Sequence, residues 1–374
     1  MLPERVAVLW VHFGPYHLAR LRAVREKCEV AAIEFASGQQ MYGWQSEGSA
    51  EMITLDHAVH ERGGSFRNAV RLWSVLNNVE PRCLFIPGYR EPLAILAAFW
   101  GKMHGCVNVL MLDSTAADLV RSTWKEQIKS AMIRGVFHRA FVSGKRSAVY
   151  LQSLSGKLLP FEEGYDVVDN AFFASRVAEI RSNTTGSAPG PFLFVGRLAE
   201  VKNLPLLLDA YGSYKRNGGL RNLEIVGHGP METSLKASVQ QAGLEDSVQF
   251  VGFQPYDSIP AWYARAACLI LPSVSEPWGL VVNEAMASGL PVIVSDRCGC
   301  ADNLVEDGRN GYLFPAKDAD SLTQRMFTFD ALSDADRGAM GRRSQEIIAC
   351  FTPETWADAA LRLTSGDSEF AVVI

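Results

Sequence analysis

Two carboxylates, Glu276 and Glu284, stand eight positions apart and enclose Pro277-Trp-Gly-Leu-Val-Val-Asn283. A bare pair of acids is ordinary, since most surface glutamates are solvated, so the setting decides. Ionised carboxylates accept hydrogen bonds from ligand hydroxyls. Gly279 lets a ligand approach the backbone closely, and a helix beginning there turns free amides toward an anion. Upstream, Phe194-Val-Gly-Arg-Leu-Ala-Glu-Val-Lys-Asn203 places Arg197 and Lys202 just after Gly196, two cations suited to a diphosphate. Two further glycine turns, Gly227-His-Gly-Pro230 and Val251-Gly-Phe253, are suited to lay a flat base against backbone. The first is not a dinucleotide fingerprint: G-x-G-P lacks the third glycine, and a helix can barely begin before Pro230. Nor is Gly196–Asn203 a Walker loop, which needs G-x-x-x-x-G-K-[ST].

These residues need elements that hold them. Ala267-Cys-Leu-Ile-Leu-Pro-Ser273 reads as a buried strand, Gly279 onward as a helix, and Leu290-Pro-Val-Ile-Val-Ser295 as the next strand, a βαβ crossover whose loop opens at a strand's carboxyl end. The same alternation runs through most of the chain. Strands are predicted at 6–11, 30–33, 83–86, 107–112 and 139–142, and helices over 17–26, 66–77, 91–103, 122–136 and 145–154. After the turn-forming stretch Gly164–Asn170 and the linker composition of Ser182–Pro191, strands recur at 192–195, 223–226 and 248–250, with helices over 204–215, 231–242 and 257–265. Two doubly wound Rossmann-like α/β domains facing each other across a cleft are expected: residues 1–175, a linker over 176–190, and residues 191–352. A last helix, 353–363 within a 353–374 tail, is expected to fold back onto the first domain.

Composition is that of a globular chain of 374 residues, 48% hydrophobic and 21% charged. No apolar run reaches bilayer-spanning length, and the start runs straight into a strand, so neither a transmembrane segment nor a signal peptide is expected. The seven cysteines are scattered. Cys298-Gly-Cys300 reads as a tight turn with two reduced thiols rather than a metal or redox site, and the expected compartment is the cytoplasm, reaching to the inner face of a membrane. The net charge of −5 divides unevenly: residues 1–165 carry 19 Lys+Arg against 15 Asp+Glu, whereas residues 166–374 carry 17 against 26. The relatively basic first half is compatible with an anionic partner.

Taken in order over residues 190–330, these four elements resemble the C-terminal half of retaining glycosyltransferases of family 4, which have the GT-B fold. Glu276 and Glu284 match that family's E-x7-E motif. The resemblance implies that Glu276 binds hydroxyls of the donor sugar and Glu284 the nucleotide ribose. It implies that amides around Trp278, Gly279 and Leu280 cap the distal phosphate, that Arg197 and Lys202 beside Gly196 hold the diphosphate, and that Gly227, Gly252 and Phe253 line the base. The first half matches less. Its loop His12-Phe-Gly-Pro-Tyr-His17 has one glycine, Gly14, where relatives often have several. A histidine that many relatives carry after a middle strand is replaced here by Leu112-Asp-Ser-Thr115. Asp113 or Ser114 is expected to take over there, with His17 and His12 as alternative candidates, and Tyr165 and Asn170, in the segment leading into the second domain, are expected to border the cleft.

The resemblance further implies transfer of a sugar from a nucleotide diphosphate sugar, UDP-linked first and GDP-linked second, to a hydroxyl of a glycan, glycolipid or lipid-linked acceptor. Same-face attack, with the leaving phosphate taking the acceptor's proton, requires neither metal nor cofactor. A sugar-nucleotide epimerase and a binding protein without turnover are the alternatives. No nucleic-acid partner is expected. Arg20, Arg22 and Arg25 on the helix after His17 are expected either to meet an anionic membrane or to form a solvated face.

Overall fold

A computed structural model of the chain describes residues 5–36, 52–56, 66–116, 123–156, 159–183 and 190–365. Contacts divide it into two units, Met1–Val168 with Pro353–Ile374, and Asp169–Thr352.

The first domain alternates β1 (Val6–Trp10), α1 (Pro15–Arg25), β2 (Val30–Glu34), β3 (Met52–Thr54), α2 (Phe66–Val79), β4 (Cys83–Pro87), α3 (Pro92–Met103), β5 (Val107–Leu112), α4 (Thr123–Val136), β6 (Arg139–Val142), α5 (Lys145–Ser155) and β7 (Phe161–Glu163). All pairings are parallel, in the order β3-β2-β1-β4-β5-β6-β7. Val6–Trp10 is buried throughout, as a strand covered by helices on both faces must be.

The second domain holds α6 (Asn170–Ser182), β8 (Phe192–Val195), α7 (Leu204–Arg216), β9 (Leu223–Val226), α8 (Glu232–Gln241), β10 (Val248–Gly252), α9 (Ile259–Arg265), β11 (Cys268–Leu271), α10 (Leu280–Ala287), β12 (Val292–Ser295), α11 (Ala301–Leu304), β13 (Gly311–Phe314), α12 (Ala319–Asp330) and α13 (Asp334–Ile348). Its parallel sheet runs β10-β9-β8-β11-β12-β13. Each sheet contains the 3-2-1-4-5-6 winding of a Rossmann-like domain. The two-domain α/β architecture of GT-B type expected from the sequence is therefore present.

The division falls at Val168/Asp169, earlier than the expected boundary at 175. Residues 176–182 are not linker but the end of α6; residues 184–189 of the expected linker lie outside the described residues. The physical reason is aromatic packing within the second domain. Asp169 caps α6 by accepting from the Phe172 amide at 2.9 Å. Phe172 stacks on Tyr256 with ring centroids 5.1 Å apart, and Phe173 meets Tyr263 edge-on at 5.9 Å.

The last helix, α14 (Pro353–Thr364), belongs to the first domain, where it packs on α1. It inserts Trp356, 1% exposed, beside Phe141 at 5.2 Å, Trp10 at 6.1 Å and Phe85 at 6.2 Å.

Candidate nucleotide-binding site

In the second domain the strand order reverses between β8 and β11, so the loops after these strands diverge and leave a crevice at their carboxyl ends. Here the sequence-predicted residues gather. After β8 the chain turns at Gly196, exposes Arg197, and makes a short 3-10 turn over Glu200–Lys202. Asn203 then adopts a left-handed conformation (φ 55°), which asparagine tolerates, and starts α7. Its side-chain amide donates to the Pro272 carbonyl at 3.3 Å and the Ala316 carbonyl at 2.9 Å. The Val274 amide donates to the Val201 carbonyl at 2.9 Å, so the two loops are joined through backbone as well.

Across this junction Lys202 Nζ donates to Glu276 Oε2, and both side chains are mostly buried, 16% and 15% exposed. Ser273 Oγ donates to the same carboxylate oxygen at 3.2 Å. The Arg197 side chain has, among the described residues, no hydrogen-bond or ion-pair partner. One cation is thus held and the other extends into solvent. Gly279, the residue before α10, has φ 111°, and an added Cβ would come 3.1 Å from Leu271 Cδ2. Only glycine enters the helix comfortably on this path. The amides of half-buried Leu280 and of Val281 open α10 without an intrahelical acceptor, and the Val282 amide donates to the Gly279 carbonyl at 2.9 Å.

The loops after β9 and β10 close the other side. Gly227 has φ 130°, and a Cβ there would lie 1.9 Å from the Gly196 carbonyl oxygen. Its amide donates to the Gly252 carbonyl at 2.9 Å, and the Leu198 amide to the His228 carbonyl, also at 2.9 Å. Phe253 is half exposed, its ring edge-on to His228 at 5.4 Å. Gly196, Arg197, Lys202, Gly227, Gly252, Phe253, Glu276 and Gly279 therefore belong to one connected set of loops.

The side chains of Trp278 and Glu284 are both buried. Trp278 is 3% exposed; its indole N–H donates to Asn283 Oδ1 at 2.9 Å, and its ring lies 6.0 Å from Phe351. Its side chain is a core residue, because an indole between Gly279 and a buried helix gains more from apolar packing than from solvent. Glu284 is 2% exposed and accepts from the Tyr263 hydroxyl at 2.6 Å. It is not on a solvent face: the helical turn carries it beneath the loop while Glu276 stays at the surface. Ser273, Tyr263 and Asn203 were not identified from the sequence. Only Asn203, a left-handed-tolerant residue next to Lys202, carried a local signal.

Cys298 and Cys300 are buried thiols in no disulfide, beside this loop. The Gly299 amide donates to the Glu276 carbonyl at 2.8 Å and the Cys300 amide to the Trp278 carbonyl at 3.1 Å. The turn thus pins the backbone that carries Glu276.

In the first domain the winding reverses between β1 and β4. Gly14 ends the turn after β1 and His17 lies in the first turn of α1, where the Gly14 amide donates to His17 Nδ1 at 3.1 Å. That leaves the imidazole proton on Nε2. The His17 pKa falls well below its ordinary value, through burial first and then through Arg20 and His12, so the ring is neutral at pH 7. His12 faces inward instead, with Nδ1 3.4 Å from Glu34. Glu34, another residue missed from the sequence, is fully buried at the end of β2, where it accepts from the Phe13 amide at 2.9 Å and from Thr54 at 3.0 Å. It braces a loop that has one glycine. Asp113 is exposed after β5, its carbonyl accepting from Ser147 at 3.0 Å, and Ser114 lies beside it. With β4 between β1 and β5, Asp113 and the β1 turn sit two strand spacings apart, about 10 Å.

Three expectations outside these loops are corrected. Arg20 is no membrane-facing cation: it is 2% exposed, donates to the Val167 carbonyl at 2.9 Å, and lies 3.4 Å from Asp166. Tyr165 is buried, accepting from the Trp10 indole at 3.1 Å. Asn170 donates to the Ile348 and Phe351 carbonyls, a structural brace at the end of α13.

Residues 178–337 match the family "Glycosyl transferases group 1". The matched segment lies within the second domain. The amylovoran biosynthesis glycosyltransferase AmsK of Erwinia amylovora is 36% identical over 140 residues, 36% of this chain and 34% of AmsK. The alpha-D-kanosaminyltransferase of Streptomyces kanamyceticus is 30% identical over 221 residues, 58% of this chain and 50% of that enzyme. The chain therefore spans half or less of the length of these curated relatives. In fold, the crystal structure of Anabaena Alr3699/HepE in complex with UDP superposes with a TM-score of 0.74 over 96% of this chain and 98% of that one, at 17% identity.

Proposed function

We propose that the protein is a retaining glycosyltransferase that moves a sugar from a nucleotide diphosphate sugar to a glycan or lipid-linked hydroxyl, in the synthesis of a polysaccharide or glycoconjugate. The observation that carries this reading is the Lys202–Glu276 pair at the reversal point of the second sheet, next to the glycine-started helix α10. In this reading Arg197, Lys202 and the α10 amides hold the diphosphate, Glu276 the sugar hydroxyls and Glu284 the ribose. Gly227, Gly252 and Phe253 line the base. On the first domain this reading assigns Gly14, His17, Asp113 and Ser114 to the acceptor, with His17 offering an N–H donor.

The chemistry asks for little else. The bond from the anomeric carbon to the diphosphate oxygen breaks, the acceptor oxygen bonds to that carbon on the same face, and the acceptor proton passes to the leaving phosphate. Negative charge grows on the phosphate, and each preorganised donor aimed at it is worth roughly 3–4 kcal/mol of barrier. No metal or cofactor enters this reading. UDP is favoured as the nucleotide because the HepE structures contain UDP and UDP-glucose. A polysaccharide product is favoured because AmsK is named for amylovoran biosynthesis.

The test is incubation with labelled UDP- and GDP-sugars, with and without glycan acceptors, in the presence and absence of EDTA, reading products by NMR. Acceptor-dependent transfer that keeps the anomeric configuration and survives chelation is expected. Epimerisation without acceptor, or binding without turnover, would overturn the proposal.

A further inference from the structure

Among the described residues, large apolar side chains left in solvent concentrate on one helical layer of the first domain. Connections from β3 to β4, β4 to β5, β5 to β6 and β6 to β7 all step the same way along the sheet, so right-handed crossovers put α2, α3, α4 and α5 on one face. The step from β1 to β2 runs the other way and puts α1 on the opposite face, with α14 against it. Each of α2, α3 and α4 exposes a pair one helical turn apart. Phe66 and Val70 are 85% and 55% exposed, Phe99 and Met103 are 49% and 64%, and Trp124 and Ile128 are 60% and 59%. None of these side chains serves the domain's core.

The same four helices carry eight Lys and Arg residues against a single carboxylate, Glu126, which is itself paired with Lys129 at 2.6 Å. In a chain of net charge −5 this layer is a strong local exception. Lys125 lies 5.6 Å over the Trp124 ring, a cation carried directly on an apolar anchor. A dissolved polyanion would engage the cations but gain nothing from exposed Phe, Ile and Met. An uncharged apolar partner would strand the cations. An anionic bilayer surface satisfies both sets, since aromatic and aliphatic side chains enter the headgroup boundary while Lys and Arg stay at the phosphates.

We propose that the α2–α5 layer docks the protein peripherally on anionic lipid. Among the described residues no helix is long and apolar enough to cross a membrane, so the layer lies on the surface. Docking of this kind is independent of the proposed activity and of any residue assigned to it.

The experiment is flotation of the full chain with phosphatidylcholine vesicles, with and without phosphatidylglycerol, at low and high salt. Binding is expected only with phosphatidylglycerol and is expected to weaken with salt. A cation at an anionic surface is worth about fivefold in partitioning. Arg67→Glu with Lys125→Glu should therefore lower binding by about 25-fold or more, and Trp124→Ser with Ile128→Ser should lower it while leaving the salt response in place. All four positions are exposed helix surface, and unchanged circular dichroism and melting temperature would exclude unfolding. Absence of vesicle binding at low salt would overturn the proposal, as would binding indifferent to both double variants. Self-association lost in the same variants, without vesicle binding, would assign the face to a second copy of the chain and likewise overturn it.

Discussion

Glu276→Gln separates the two jobs assigned to the reversal-point loop. The Glu276 carboxylate pairs with Lys202, and the pair is only about one-sixth exposed. At an effective dielectric of about 20, two unit charges at 4 Å attract by about 4 kcal/mol. Desolvation and the geometry kept by the amide offset most of this, so we take about 1–2 kcal/mol as the net hold of Glu276 on Lys202. A diphosphate must draw Lys202 away from that hold. Removing the negative charge while keeping the shape should therefore tighten UDP binding by about 5- to 30-fold, because 1.4 kcal/mol is tenfold. Turnover should move the other way and fall by at least about a hundredfold, the range for loss of one transition-state interaction. Calorimetric titration with UDP, beside initial rates with the nucleotide sugar, measures both. Lys202→Ala supplies the contrast, with UDP binding and turnover both reduced. Weaker UDP binding in Glu276→Gln, or turnover at wild-type level, would refute the placement of sugar and phosphate on opposite sides of this pair.

Other expectations follow from neighbouring residues. Glu284→Ala should weaken UDP itself, whereas Tyr263→Phe, which removes the hydroxyl that bonds that carboxylate at 2.6 Å and the Val281 carbonyl at 3.4 Å, should lower stability by about 1–3 kcal/mol with a smaller effect on affinity; equal UDP affinities in the two variants would count against a ribose role. Trp356→Ala should cost about 3–5 kcal/mol in denaturant unfolding, read from probes in the first domain; an effect under 1 kcal/mol would mean that α14 is not part of that core. His17 is neutral in the native state and its pKa lies below that of the unfolded chain, so its stabilising contribution is complete above pH about 6.5 and is lost as pH falls from there through the folded value. His17→Gln should flatten that acid limb of the stability curve, and an unchanged limb would contradict the burial of the ring.

Much of the architecture was legible because parallel strands covered on both faces read as short unbroken apolar runs: Phe192–Val195 and Cys268–Leu271 could hardly be anything else. The glycine turns were legible too, since Gly227 and Gly279 answer to local backbone requirements. Side-chain direction was not. Trp278 and Glu284 lie in the most informative stretch of the sequence, yet both are buried, and only Asn283 and Tyr263, their partners in space, show why. Arg20 misled for the same reason: one buried acid, Asp166, distant in sequence, turned an apparent surface cation into an internal one. The expected domain boundary fell inside α6 because that helix's aromatic partner Tyr256 comes much later in the chain.

The return of α14 to the first domain means that the second domain is an insertion, continuous from Asp169 to Thr352, within a host whose fold is closed by a terminal plug. Cutting the chain once cannot separate the halves cleanly: a fragment ending at Val168 lacks Trp356 and leaves Phe141 and Trp10 facing an empty socket. Two cuts, one on either side of the insert, leave both cores whole. Under the proposed function, chimeras meant to exchange donor preference should therefore be built as cassettes spanning 169–352 with the recipient's own last helix retained.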